Sequence, residues 1–182
     1  MRQADYVARL RVNLVTARER PRALVGSLRA DQRTWHPPTG GWSADEVLEH
    51  LCAVGSPYLG VLEGKAAAPG PLAGPEEPWE GRIGGRLLVW SFGLKRRLPT
   101  FRAFEHPEPR PGVLEALEDQ LARVHWLLER SAGLAWRRVR FASPFSAAVG
   151  LNMGDAFGVL IYHALRHYRQ VERVIAAVGF PT

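Results

Sequence analysis

MGDAFGVLIYHALRHYRQVERV (residues 153–174) sets the reading of the rest of the chain. Ala156, Leu160, His163, His167, Val171, Val174 and Val178 recur at steps of three and four, which puts them on one face of a helix. Asn152 stands where an N-cap belongs, with Asp155 in the first turn to complement the helix dipole. The helix is expected to run to about Val178, ahead of Gly179 and Pro181. Two of the inward positions are imidazoles. Spaced i,i+4, they stack one turn apart and can reach a single ion at about 2.0–2.1 Å.

Upstream, GWSADEVLEHL (41–51) opens a second helix. Ser43 and Glu46 are spaced as a capping box, and Val47, Leu51, Val54, Tyr58 and Leu62 form the buried stripe, with Gly64 as the stop. His50 falls on that stripe between Val47 and Val54. A single buried histidine is ordinarily a core residue with its own partners. Leaving imidazole nitrogens unsatisfied in a core costs roughly 1–3 kcal/mol each, so three on inward stripes call for a shared explanation. One divalent metal ion on His50, His163 and His167 supplies it. His36 and His106 lie in proline-containing loops, and His125 is one residue off a helical stripe and expected to be exposed.

Two further helices are expected. Tyr6, Leu10, Leu14, Ala17, Leu24 and Leu28 mark one over residues 4–29, with Pro21 expected to kink or divide it. Leu114, Leu117, Leu121, Val124 and Leu128 mark the other, closed by Gly133. Residues 134–151 read as a loop, and no alternating strand pattern of useful length appears. Between Lys65 and Gly81 the chain is rich in Pro and Gly and expected to be extended. RIGGRLLVWSFGLKRRL (82–98) follows, ended by Pro99. It reads as a short helix within a long crossover covering one end of the bundle, in preference to a membrane-surface helix, because its three glycines weaken it. The expectation is an all-α fold, one domain over 1–182, with four main helices and a long crossover between the second and third forming a four-helix bundle.

Composition limits the functional classes. The chain has 182 residues, 46% hydrophobic and 23% charged, as a soluble globular protein has. The net charge of +6 is carried mostly by arginine spread among acidic residues, and no nucleic-acid-binding signature accompanies it. Cys52 is alone, no signal-peptide pattern opens the chain, and no apolar run approaches the length of a membrane span. A cytoplasmic protein without nucleic-acid or membrane partners is expected.

The two histidine-bearing segments, in this order and separation, resemble the DinB-like superfamily, also called DinB/YfiT-like. GWSADEVLEHL is similar to that family's Trp-Ser opening of its second helix, and MGDAFGVLIYHALRHYRQVERV to its H-x-x-x-H-x-x-Q closing helix. The resemblance implies an up-down-down-up bundle, a metal held by His50, His163 and His167, and frequent homodimers. It also implies kinship with thiol-dependent S-transferases and isomerases that use bacillithiol, mycothiol or glutathione, although many members have no established activity.

Three nitrogen ligands leave a coordination position open, as catalytic sites do. Imidazole donors suit zinc or nickel first, with iron or copper also possible. Three readings follow: transfer of a low-molecular-weight thiol held as thiolate, with Arg166 and Arg169 receiving its carboxylates; metal-assisted hydrolysis, with Glu46 as base if its capping role releases it; and metal binding or a stress-associated role without turnover. Cys52, two residues from His50, is expected to be a small buried residue and not a nucleophile. Trp42 is expected to be a hydrophobic staple toward Val47.

Overall fold

Residues 1–94 and 107–182 are described by a computed structural model. The fold is mostly helical, with α1 Gln3–Val25, α2 Ala30–Arg33, α3 Ala44–Ala67, α4 Ile83–Ser91, α5 Val113–Ser131 and α6 Met153–Ile175, and with strands β1 Arg140–Ser143 and β2 Ser146–Asn152 before α6. The end of the 82–98 segment and His106 lie outside the described residues.

The apolar stripes become the core. Leu10, Leu14, Leu48, Leu59, Leu62, Leu114, Leu117, Leu127, Tyr58, Phe157 and Tyr168 are all fully buried. α1 lies against α5 and α6, and α3 against the same two. Buried hydroxyls tie α1 to α6: Tyr6 Oη donates to Gly154 O at 3.4 Å and Tyr168 Oη to Ala17 O at 2.9 Å. Arg11–Glu129 and Arg22–Glu118 pair α1 with α5, and Gln120 Nε2 donates to Leu51 O at 3.0 Å between α5 and α3. No helix among the described residues is long and apolar enough to cross a membrane.

Several boundaries differ from the sequence expectation. α1 passes through Pro21 and stops at Val25, so the proline neither divides nor ends it. α3 runs through Gly64 to Ala67, and Ala68 N–H bonds back to Gly64 O. α6 ends at Ile175, which leaves Val178 beyond the helix and 92% exposed instead of on the inward stripe. The expected 134–151 loop contains an antiparallel hairpin, pairing Arg140 with Asn152, Phe141 with Leu151 and Ala142 with Gly150. Its Ser, Ala and Gly residues carry little intrinsic strand preference, and the pairing is supported by packing on α4 and α6.

The segment after α3 is pinned as well as extended. Gln3 N–H donates to Glu77 O at 2.8 Å, Trp79 N–H to Met1 O at 2.9 Å, and the Tyr6 and Trp79 rings stack at 4.3 Å. α4 lies along α6 and β2. Asp155 explains the docking. Its Oδ2 accepts the Asn152 N–H at 2.9 Å, completing the α6 capping box, and also the Arg82 N–H at 3.1 Å at the start of α4. One buried carboxylate thereby serves two helix N-termini, where negative charge is favoured.

Candidate metal centre

His50 stands in the second turn of α3, placed by the cap that starts the helix. Ser43 Oγ accepts the Glu46 N–H at 3.3 Å, and Glu46 Oε2 accepts the Ser43 N–H at 2.7 Å. His163 and His167 come from the middle of α6, where it crosses α3. The three imidazoles meet. His50 Nε2 is 3.4 Å from His163 Nε2, and His163 Nε2 is 3.0 Å from His167 Nε2. One ligand atom from each lies within 4.8 Å of the others.

These spacings fit a single ion. Three nitrogens at about 2.0–2.1 Å from a tetrahedral centre stand about 3.3 Å apart. The chemistry of the rings fits too. Burial pushes His50 down to about 4 and His167 down to about 3, with His163 well below the ordinary imidazole value. All three are therefore neutral at pH 7, the form that ligates. His167 Nδ1 lies 3.0 Å from Gln170 Oε1, which can only accept, so Nδ1 carries the proton and Nε2 presents its lone pair to the cluster. His50 is buried, while His163 and His167 keep some accessible surface.

Aromatic rings frame the cluster. Trp42 is centred 4.8 Å from His50 and 6.2 Å from His167, and Phe92, just past α4, lies 5.0 Å from His163. Besides lying over His50 of α3, the Trp42 indole reaches across to α6. His163 also lines a small internal cavity of about 10 Å³ with Leu117, Leu121 and Leu160. That is room for one water.

Other residues singled out in the sequence lie elsewhere or are engaged. Arg166 Nη1 donates to Leu94 O at 2.6 Å and Phe92 O at 3.2 Å, and Arg169 Nη2 to Phe92 O at 3.3 Å. Both hold the carbonyl end of α4, where cations are favoured, which competes with the carboxylate-binding role expected of them. Glu46 Oε2, besides its cap, is 2.7 Å from His36 Nε2. His125 is half exposed beside Arg18 and Glu129. Cys52 is buried, and burial pushes its thiol up to about 12.

No part in the site follows from the sequence for Phe92 or the Glu49–Arg110 pair, and Gln170 enters there only as the last residue of the H-x-x-x-H-x-x-Q motif. Gln170 had a signal, sitting three residues after His167 on the same face. Phe92 had none, since only tertiary packing brings α4 to α6. Glu49, next to His50, receives Arg110 N–H at 3.1 Å and its guanidinium at 2.9 Å, which tethers α3 just ahead of α5.

A family model described as the DinB superfamily matches residues 13–171. No curated protein and no solved structure matches the chain.

Proposed function

This chain belongs to the DinB superfamily, and on that footing we propose that it is a divalent-metal-dependent S-transferase that takes a low-molecular-weight thiol as cosubstrate. The observation that carries the reading is the triangle of Nε2 atoms from His50, His163 and His167, spaced for one ion, zinc or nickel by donor type. A divalent ion there would supply a Lewis acid that lowers the pKa of a thiol beside it. The chain's own residues do the rest. Burial keeps the imidazoles unprotonated, Gln170 sets the tautomer of His167, and Trp42 and Phe92 lower the local dielectric and exclude water. The accessible surface of His163 and His167 favours entry of the thiol along α6.

The scaffold we assign is a four-helix bundle of α1, α3, α5 and α6 in up-down-down-up order, with a long crossover between α3 and α5. Its support is the pairing of residues. Tyr6 with Gly154 and Ala17 with Tyr168 run in the same direction along α1 and α6, whereas Arg11 with Glu129 and Arg22 with Glu118 run oppositely along α1 and α5.

The test is conjugation of an electrophile such as monochlorobimane by metal-loaded protein, offered bacillithiol, mycothiol and glutathione in turn. Turnover with one of them, abolished in His163→Ala, is expected; no conjugation with any of the three discards the transferase reading. A second reading, metal binding without turnover, is favoured by the small cavity beside His163 and the rings against the imidazoles. Cobalt-substituted protein separates the two. If no thiol alters its visible spectrum, the binding-only reading stands. Hydrolysis with Glu46 as base is the weakest of the three, because that carboxylate already serves Ser43 and His36.

A further inference from the structure

At the other end of α4 from the imidazoles, a cleft of about 610 Å³ opens between the start of α4, the chain entering β1, and β2. Four guanidiniums line it: Arg82, Arg86, Arg137 and Arg140, against one carboxylate, Glu80. Glu80 is itself largely exposed and reaches only Arg86, at 3.9 Å. Among the described residues no carboxylate pairs with the side chain of Arg82, Arg137 or Arg140. Arg137 Nε is buried and has no hydrogen-bond partner. A buried charged donor left in that state costs more than a neutral one, so a bound anion at this place would remove a penalty as well as add contacts.

Ile83 and Gly84, the first two residues of α4, also line the cleft, while the Asp155 carboxylate holds the Arg82 N–H at the start of that helix, so the arginine side chains alone supply the positive field. Gly84 and Gly150 keep the walls low, since a Cβ on Gly84 would meet Val149 and one on Gly150 would meet the Arg82 guanidinium. The volume is that of small-molecule sites, about 300–1,000 Å³.

We propose that this arginine-lined cleft is a binding site for a small phosphate-bearing molecule, separate from the imidazole cluster. Phosphate matches planar guanidinium donors bidentately. Asp155, where the cleft end of α4 is anchored, precedes His163 by about 12 Å along α6, so one phosphate group does not span both places. The proposal stands whether or not the metal reading does.

The experiment is calorimetric titration of the metal-free full-length protein with pyrophosphate at fixed ionic strength, with succinate and a short single-stranded oligonucleotide as comparison ligands. Wild type and His163→Ala are expected to bind pyrophosphate alike. Arg137→Gln with Arg140→Gln is expected to weaken binding at least tenfold, and Arg138→Gln, an exposed neighbour outside the cleft, to leave it unchanged. Should the double variant fold poorly by circular dichroism, Arg140→Gln and Arg86→Gln, at exposed positions, decide the matter through a several-fold loss. Equal pyrophosphate affinity in wild type and the arginine variants overturns the proposal. So does succinate binding as tightly as pyrophosphate, or binding of the oligonucleotide alone.

Discussion

Proline at position 21 has no N–H, so the carbonyl of Ala17, four residues earlier, has no helical donor. Tyr168 Oη supplies one from α6, at 2.9 Å, inside the core. Tyr168→Phe should therefore cost about 1–3 kcal/mol in urea unfolding, because a buried carbonyl is left unsatisfied. In a Pro21→Ala background the restored N–H takes that carbonyl, and the same substitution should cost about 1 kcal/mol less; an identical cost in both backgrounds refutes the coupling. The imidazoles allow a similar argument. Removing His163, whose Nε2 is close to those of both His50 and His167, should take tag-free protein from about one ion per chain to background by elemental analysis. Gln170→Leu keeps the ligands but loses the acceptor for His167 Nδ1, and metal affinity by competitive chelation should fall about 10–100-fold. The histidines were legible in the sequence because i,i+4 spacing is local and each falls on an apolar stripe. Trp42 and Phe92 were not, since their positions over the rings depend on how α3 and α4 meet α6.

At the scale of elements, α4 shows what the apolar stripes could not convey. The four long helices were legible because a period of 3.6 marks each of them, and the Ser43 and Asn152 caps mark the starts of two. The position of α4 was not, because it rests on two glycines passing close to a carboxylate. A Cβ on Gly85 would collide with the Asp155 side chain, the group that holds the α4 start. Gly60 and Gly64, inside α3, have nothing within 4 Å of a built Cβ. Alanine should then act oppositely at the two places. Gly60→Ala and Gly64→Ala should each stabilise by about 0.5–1 kcal/mol through helix propensity. Gly85→Ala gains the same propensity yet should be net destabilising by about 1–3 kcal/mol, because it forces α4 off α6. Thermal unfolding of the three variants reads the contrast, and a stabilised Gly85→Ala would show that α4 is not docked this closely. The hairpin was missed for a related reason: its residues pair because α4 and α6 flank them.

For the molecule as a whole, the buried imidazoles connect stability to pH. In the unfolded chain each titrates near its ordinary value of about 6.5, while in the folded chain burial holds His50 at about 4 and His167 at about 3. Above pH 6.5 neither state binds these protons, and their contribution does not change with pH. As the pH falls below 6.5 the unfolded chain takes up protons that the folded chain refuses, so stability falls until the folded values are reached. At about 1.4 kcal/mol per unit, His50 alone accounts for roughly 3 kcal/mol across this window. Glu49 acts in a lower one. Arg110 depresses its carboxyl, so that contribution is present above the unfolded value of 4.5 and is lost as the pH drops through the folded one. Metal-free protein should consequently lose most of its stability between pH 6.5 and 4, before ordinary carboxylates titrate. Replacing His163 and His167 together with Leu should make that limb shallower, leaving the share of His50 and the Glu49 limb in place, because two of the three side chains no longer have a proton to refuse. Urea midpoints at pH 7.5, 6 and 5 for both proteins measure the difference. A metal-free wild type as stable at pH 5 as at pH 7.5 would mean that its imidazoles are not held neutral by burial, and that the protein lacks the preformed neutral donors on which binding of an ion at neutral pH depends.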